Sequence, residues 1–175
     1  MKLDDIKNYN YQGIARGIVE DLNNNINGRV ALNDMLQSTH VLYIIKNLLE
    51  DKCKTVLEIG TLWGGALLTM MQTEYKSKFV SVDMFEGFYP ELLGEGNGDQ
   101  NFGINTIELV DENIKNNNPY QHEYDLIKGS SHDTKVINYV KENYPKIDLL
   151  FIDGDHTKKG VLQDWEDYSD LVTLV

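Results

Sequence analysis

Short apolar runs alternate with helical patterns along most of this 175-residue sequence. The strand-like runs cover residues 55–60, 79–83, 124–127 and 147–153. The helical patterns cover residues 13–23, 38–51, 66–75, 105–116, 134–144 and 161–174. Strands that alternate with helices form βαβ units with right-handed crossovers. The pattern therefore predicts an α/β fold built on a doubly wound parallel sheet.

The length of the chain fits a single domain, because domains commonly run to roughly 100–200 residues. We expect residues 1–175 to form that domain, with residues 1–37 as an N-terminal helical extension and residues 38–175 as the core. Hydrophobic residues make up 41% of the sequence, which is too many for a chain that is disordered by composition.

Charge and cysteine content narrow the range of partners. The formal net charge of −12 repels phosphate backbones, so no nucleic-acid partner is expected. No segment approaches the roughly 20 apolar residues that cross a bilayer, so no membrane partner is expected either. Cys53 is the only cysteine, which excludes a cluster of thiolate metal ligands. A lone thiol and an N-terminus without an apolar signal favour a cytoplasmic location.

A glycine-rich turn at residues 60–65 follows the first strand-like run and lets a ligand approach the backbone closely. Asp83 ends the next strand-like run, 23 residues after Gly60. An acid at about this distance binds ribose hydroxyls in dinucleotide folds. Leu62 stands where the dinucleotide fingerprint has its second glycine, which argues against NAD or FAD. The Gly-Lys-Ser/Thr ending of a Walker loop is missing as well.

Three segments resemble motifs of class I S-adenosylmethionine-dependent methyltransferases. Residues 56–65 resemble motif I of that family, and residues 80–83 resemble its second motif. Residues 147–156 are similar to the fourth-strand motif of a subgroup that includes macrocin-type and related sugar or small-molecule O-methyltransferases. The resemblance runs from about residue 38 to the end and implies a Rossmann-like core with strand order 3-2-1-4. Later strands of the family have no counterpart here, so the implied core is truncated.

The resemblance implies S-adenosylmethionine as the cofactor and assigns residues to it. Residues that match Glu58, Gly60, Thr61 and Gly64 surround the methionine part of the cofactor in the family. The acid that matches Asp83 holds the ribose hydroxyls, and Ser131 lies along the adenine edge. Asp153 is assigned to the same pocket and is the one predicted metal ligand. Mg²⁺ suits such oxygen ligands and is the metal expected if one takes part.

Asp155 and His156 are the predicted catalytic residues, because methyl transfer to a hydroxyl requires alignment of the reactants and removal of a proton. The alternative interpretation is that Asp153, Asp155 and His156 only cap the following helix and hold its loop. The expected function is O-methylation of a small molecule or sugar. Two other functions stay open: an inactive S-adenosylmethionine-binding or assembly module, and another nucleotide-binding Rossmann enzyme.

Three further expectations concern the surface of the protein. The stretch 85–104 is long for a βα connection, and Phe88, Tyr89 and Phe102 could close over an acceptor or serve an interface. Either the sequence is a fragment of a longer chain, or a reduced protein completes its sheet in another way. If 175 residues is the whole protein, the edge of the fourth strand is exposed, and we then expect a homo-oligomer. Asp164, Glu166 and Asp167 are interpreted as a solvated helix face.

Overall fold

The computed structural model describes residues 11–30, 36–86 and 105–173. Phe88, Tyr89 and Phe102 lie outside these ranges, so their expected role in closing over an acceptor stays a prediction.

The described part of the chain alternates helices and strands, as the sequence pattern predicts. The helices are α1 (Tyr11–Asn25), α2 (Leu36–Leu49), α3 (Gly65–Met70), α4 (Ile107–Asn117), α5 (Thr134–Asn143) and α6 (Lys158–Tyr168). The strands are β1 (Thr55–Ile59), β2 (Lys78–Asp83), β3 (Glu123–Lys128) and β4 (Leu149–Ile152). Single 3₁₀ turns cover Glu50–Lys52 and Ser169–Leu171.

The four strands form one parallel sheet in the order β3-β2-β1-β4. Leu57 in β1 pairs with Val80 in β2 on one side and with Leu150 in β4 on the other. The order confirms the predicted Rossmann-like, doubly wound sheet. It also places β1 beside β4, where the direction of winding reverses and α/β folds bind their ligands.

Helices cover both faces of the sheet because the side chains of each strand alternate between two hydrophobic clusters. Val56 belongs to the cluster that contains Leu22 of α1 and Leu67 of α3. Leu57 belongs to the opposite cluster, together with Val140 of α5 and Tyr168 of α6. Buried strands of this kind stabilise the sheet and fix the strand ends on which the site is built.

Two helices are shorter than predicted. Helix α3 ends at Met70, and beyond it the Thr73 hydroxyl donates to the Met70 carbonyl at 3.1 Å. Helix α6 ends at Tyr168, and Val172 forms a parallel bridge with Ile147 instead of a further helical turn. The apolar pattern near residue 172 therefore belongs to an isolated bridge just before β4 and not to the helix. Strand β4 itself lies at the edge of the described sheet.

None of the helices in the described ranges combines the length and apolar character that crossing a bilayer requires.

Candidate cofactor and catalytic site

The ends of β1 and β4 meet at one edge of the sheet. The backbone N–H of Asp153 donates to the Ile59 carbonyl at 2.7 Å, which keeps the two strand ends in register. Gly60 follows with φ = 87°, and a Cβ at this position would lie 2.4 Å from the carbonyl oxygen of Asp153. Only glycine fits so close to a neighbouring backbone at a positive φ. The structure therefore brings Gly60 and Asp153 together, as the strand order predicts.

The glycine-rich turn continues with further left-handed residues. Leu62 has φ = 49°, which is uncommon for a residue with a side chain, and Gly64 has φ = 83°. Helix α3 begins at Gly65, where a Cβ would lie 2.0 Å from the carbonyl oxygen of Val30. The segment after α1 thus packs directly against the start of α3. The turn is held from both sides, by β4 and by the N-terminal segment.

Asp83 fixes the shape of this turn. One oxygen, Oδ2, accepts hydrogen bonds from the backbone N–H groups of Thr61 at 2.7 Å and Leu62 at 3.1 Å. The other oxygen, Oδ1, accepts from the N–H of Phe85 at 2.8 Å and from Asn105 Nδ2 at 3.4 Å. Asp83 is 9% exposed, so these contacts replace water around the carboxylate. Asp83 lies where the sequence predicts it, and the structure adds Asn105 as its neighbour.

Glu58 is a fully buried acid beneath the turn. Its Oε2 accepts a hydrogen bond from the Ser81 hydroxyl at 2.7 Å, and that hydroxyl also contacts the Thr61 hydroxyl. Its Oε1 has no hydrogen-bond partner among the described residues. Burial raises the pKa of Glu58 to about 8, and the neighbouring acids Asp153 and Asp83 add to the effect. An unpaired oxygen on such an acid suits a cationic ligand group, which would favour the charged form.

Asp153 and His156 form a pair just beyond β4. His156 Nε2 lies 3.1 Å from Asp153 Oδ1, and the two side chains are 44% and 31% exposed. Burial raises the pKa of Asp153, while the neighbouring His156 acts in the opposite direction. The pair can orient an imidazole and stabilise its charged form, which is the arrangement of a general base with an orienting carboxylate.

Asp155 makes different contacts. Its carboxylate accepts hydrogen bonds from the N–H of Thr157 at 2.8 Å and from the Thr157 hydroxyl at 3.0 Å. The Thr157 contacts, led by its backbone N–H, lower the pKa of Asp155. Thr157 is itself the N-cap of α6 and accepts from the N–H of Gly160 at 3.0 Å. The capping role considered for Asp153 and His156 therefore falls to Thr157, with Asp155 supporting it.

The described residues do not assemble a metal site. They contain no group of three histidine, cysteine, aspartate or glutamate side chains arranged to hold a metal ion. Asp153 has one oxygen engaged with His156, and the described part of the chain supplies no second and third ligand beside it. The described residues thus supply no preformed set of three metal ligands, and the assignment of Asp153 as a metal ligand stays a prediction.

Helix α6 also holds the loop that contains Ser131. The Tyr168 hydroxyl donates to the carbonyl oxygen of Ser131 at 2.6 Å. His132 Nδ1 lies 2.9 Å from Asp167 Oδ2 and 3.6 Å from Asp164 Oδ1. We refer to these five residues as the α6 clasp. The helix that begins after the Asp153–His156 pair thus also anchors the loop assigned to the adenine edge.

The sequence pattern missed two buried polar residues near this edge. Asp164 is completely buried, so its interpretation as part of a solvated face is wrong, and burial raises its pKa. Its position four residues before the inward-facing Tyr168 is a signal that could have identified it. Asn105 is 5% exposed and contacts Asp83, and no local pattern distinguishes it because it directly follows the long irregular stretch.

Comparison with known proteins identifies the family. A family model described as a methyltransferase domain matches residues 57–173, a range that includes both strand ends described above. The chain belongs to this methyltransferase family. The resemblance to class I S-adenosylmethionine-dependent methyltransferases, drawn from the residues around Gly60, Asp83 and Asp153, is confirmed.

The individual relatives of this chain are distant. The chain is 32% identical over 129 residues to an uncharacterised protein of Acanthamoeba polyphaga mimivirus. The aligned region covers 74% of this chain and 51% of that protein. A calicheamicin methyltransferase structure is 17% identical with a TM-score of 0.55, covering 81% of this chain and 62% of that one. An O-methyltransferase from Bacillus cereus, solved with S-adenosylhomocysteine, is 15% identical with a TM-score of 0.55, covering 92% and 62%. At these identities the two structures support the fold.

The chain spans about half the length of the curated relative that it matches and about three fifths of each of these two solved structures.

Proposed function

We propose that this methyltransferase binds S-adenosylmethionine and transfers its methyl group to a hydroxyl of a small molecule or sugar. The observation that carries the proposal is the convergence of the Gly60 turn and the Asp153–His156 pair at one edge of the sheet. Both lie beside the point where the winding of the sheet reverses, which is where α/β folds bind ligands. The family membership supports the reaction class.

The cofactor is proposed to lie along the edge formed by β1, β2 and β3. Its methionine end would contact Glu58, Gly60, Thr61 and Gly64, where the unpaired Oε1 of Glu58 suits the cationic ammonium group. The ribose would lie at the end of β2 near Asp83. The adenine would reach the Ser131 loop, which the α6 clasp holds in place.

The proposed reaction is a direct displacement. The acceptor oxygen forms a bond to the methyl carbon while the bond from that carbon to the sulfonium sulfur breaks, which gives S-adenosylhomocysteine and a methyl ether. His156 Nε2 faces Asp153, so Nδ1 is the nitrogen that would take the hydroxyl proton. Asp153 would stabilise the imidazolium that results. A positioned base of this kind contributes roughly 10²–10⁴-fold to a rate.

Asp155 is the second proposed catalytic residue, and its contacts favour a supporting role. Both of its oxygens are engaged by Thr157, and its pKa is lowered, which makes it a weaker base. We therefore propose that His156 accepts the proton and that Asp155 holds the turn on which His156 stands.

The acceptor class rests on the similar structures. The calicheamicin methyltransferase is described as a TDP-rhamnose 3′-O-methyltransferase, and the Bacillus cereus protein is an O-methyltransferase. We propose a sugar or other small-molecule hydroxyl for this chain on that basis.

The test combines binding and turnover. Calorimetry should detect S-adenosylhomocysteine binding to the wild type and to the variants His156→Ala and Asp155→Asn. Transfer of labelled methyl groups to a panel of sugars and small alcohols and phenols should fall by about 10²-fold or more in His156→Ala. His40→Ala, a change on α2, is the matched control and should keep full turnover. Unchanged turnover in His156→Ala would show that His156 is not the general base. Tight binding without transfer to any acceptor would favour the alternative of an S-adenosylmethionine-binding module.

We also propose that residues 1–175 form one domain and associate as a homo-oligomer in a reducing, cytoplasmic setting. The single domain is supported by the shared cluster of Val19 and Leu22 of α1 with Leu67 of α3. The reducing setting is supported by Cys53, which is free and buried. The oligomer would pair through the outer strands of the sheet, and light scattering that gives a monodisperse monomer would contradict it.

A further inference from the structure

We propose that Asn113 of α4 is a positioning residue for the cofactor, because it holds the glycine-rich turn and a segment of the N-terminal extension against each other. We define this segment as residues 26–30. The inference rests on the proposed function, since it concerns the methionine end of the same cofactor. The range matched by the family model begins at residue 57, so the segment lies outside it.

The side chain of Asn113 joins three parts of the chain and is 2% exposed. Its Oδ1 accepts from the N–H of Asn27 at 2.8 Å, and its Nδ2 donates to the Asn27 carbonyl at 3.1 Å. The same Nδ2 donates to the Trp63 carbonyl at 3.0 Å. These contacts need one acceptor and two N–H donors on one short side chain, which is what the asparagine amide supplies.

The hydrogen bond to Trp63 acts on the glycine-rich turn itself. Trp63 lies between Leu62 and Gly64, which both have a positive φ. The N–H of Gly64 donates to the Thr61 carbonyl at 2.8 Å. The peptide group that links Trp63 to Gly64 is therefore held at its N–H by Thr61 and at its carbonyl by Asn113. Its plane is fixed only while both hydrogen bonds are made.

The segment 26–30 packs on the same turn at two further points. Gly28 has φ = 122°, and a Cβ there would overlap the side chain of Trp63. Gly65 lies so close to the backbone of Val30 that a Cβ would overlap its carbonyl oxygen. Contacts without free space transmit a displacement from one side to the other. Movement of the segment is therefore expected to move the turn as well.

This arrangement prepares one end of the cofactor site before the cofactor binds. The methionine part is proposed to contact Gly60, Thr61 and Gly64, whereas the adenine is proposed to reach the Ser131 loop. A turn that is already fixed binds its ligand without a further cost of ordering. Loss of the Asn113 amide should therefore weaken the binding of the methionine part and leave the binding of the adenosine part unchanged.

The test compares two ligands that differ in the methionine part. Affinities are measured for S-adenosylhomocysteine and for 5′-methylthioadenosine, which lacks the amino and carboxylate groups. Asn113→Ala should bind S-adenosylhomocysteine about tenfold more weakly than wild type, or worse, and 5′-methylthioadenosine within about twofold of wild type. Bound S-adenosylhomocysteine should slow the amide hydrogen exchange of residues 26–30 in wild type, and this protection should be smaller in Asn113→Ala.

Asn117→Ala is the matched control. Asn117 lies one turn later on α4, and its Nδ2 donates to the Asn113 carbonyl within the helix at 2.9 Å. This variant should keep the wild-type affinities for both ligands. Asn113→Ser retains one donor and should give an intermediate, equally selective loss of S-adenosylhomocysteine affinity. It provides a second measurement if the alanine variant folds poorly.

Two results would overturn the inference, and they are distinguishable. If the Asn113 variants bind both ligands as wild type does, or weaken both equally, Asn113 only stabilises the fold, while the proposed function stands. If the wild type binds neither ligand, the proposed function and the role of Asn113 fail together.

Discussion

The carbonyl oxygen of Asp153 lies only 2.4 Å from the point where a Cβ on Gly60 would stand. This contact joins the two strand ends that carry the candidate site. It also explains why a glycine is needed at residue 60 independently of any ligand.

We predict that Gly60→Ala destabilises the protein by about 2 kcal/mol or more. The added Cβ meets the Asp153 backbone, and a side chain at φ = 87° is strained by about 1–3 kcal/mol in addition. Urea unfolding measures the effect. Gly17→Ala is the control, because a Cβ on Gly17 in α1 would meet no atom of the described residues within 4 Å. That change should stabilise the helix by about 0.5–1 kcal/mol. Equal stability of the two variants would contradict the close approach of the strand ends.

A second prediction concerns Glu58 and alkaline pH. The pKa of Glu58 is about 8 in the fold and 4.5 for an unperturbed glutamate, so the unfolded chain releases this proton first as pH rises. The stability associated with the protonated acid is therefore complete below pH 4.5 and is lost as pH rises through 8. Glu58→Gln should remove this loss. At alkaline pH, Glu58→Gln should therefore gain stability relative to wild type. The difference between their free energies of unfolding should shift in favour of the variant by about 1 kcal/mol or more from acid to alkaline pH, since one pKa unit is worth about 1.4 kcal/mol.

Urea unfolding at a series of pH values, with no ligand present, measures this difference. The exposed Glu142 of α5 supplies the control variant Glu142→Gln, for which the wild-type pH profile should persist. A wild-type profile in Glu58→Gln would show that Glu58 is already charged in the folded protein.

A third prediction concerns His122 and a loss of stability at acid pH. Its Nδ1 accepts from the N–H of Ser77 at 3.2 Å, and its Nε2 lies 2.9 Å from the Thr73 carbonyl, which fixes a neutral ring. Burial lowers its pKa below 6.5, so the unfolded chain takes up the proton first as pH falls. Stability should therefore decline as pH drops through 6.5. His122→Gln should show a shallower decline between pH 7 and pH 5, by about one proton in the linkage slope.

The control for His122 is His40→Gln, a histidine change on α2 away from this contact. Its unfolding should keep the wild-type dependence on acid pH. If His122→Gln and wild type lose stability in parallel, the buried neutral ring is not the cause of acid sensitivity.

We predict that Tyr168→Phe loosens the Ser131 loop. The change removes the hydrogen bond to the Ser131 carbonyl and should cost about 1 kcal/mol of stability. Amide hydrogen exchange of residues 129–133 should become faster than in wild type. Tyr139→Phe removes a hydroxyl from a tyrosine of α5 that is 47% exposed, and it should leave this loop unchanged. Equal exchange rates in Tyr168→Phe and wild type would show that the Tyr168 hydroxyl does not hold the loop.

The sheet order and the meeting of Gly60 with Asp153 could be predicted from the sequence, because alternating strands and helices permit few topologies. The end of α6 could not be predicted from the sequence. Leu171 and Val172 fit an apolar helical stripe as well as they fit a strand, and only the backbone of Ile147 decides between the two.

Other parts of the site depend on contacts between distant segments. The burial of Asp164 follows from how α6 packs on the Ser131 loop, and the contact of Asn105 with Asp83 spans 22 residues. Leu62 has a positive φ and donates its N–H to Asp83, a contact that no local propensity encodes. Sequence periodicity indicates which face of an element is apolar, but it does not predict such polar contacts between distant segments.

The α6 clasp has a consequence for mutational studies of this protein. One rigid rod of eleven residues is attached at its beginning to the Asp153–His156 turn and at its far end to the Ser131 loop. A substitution that tilts this rod will move both attachments together. Losses of nucleoside affinity and of turnover should therefore be correlated among variants of the inward face of α6.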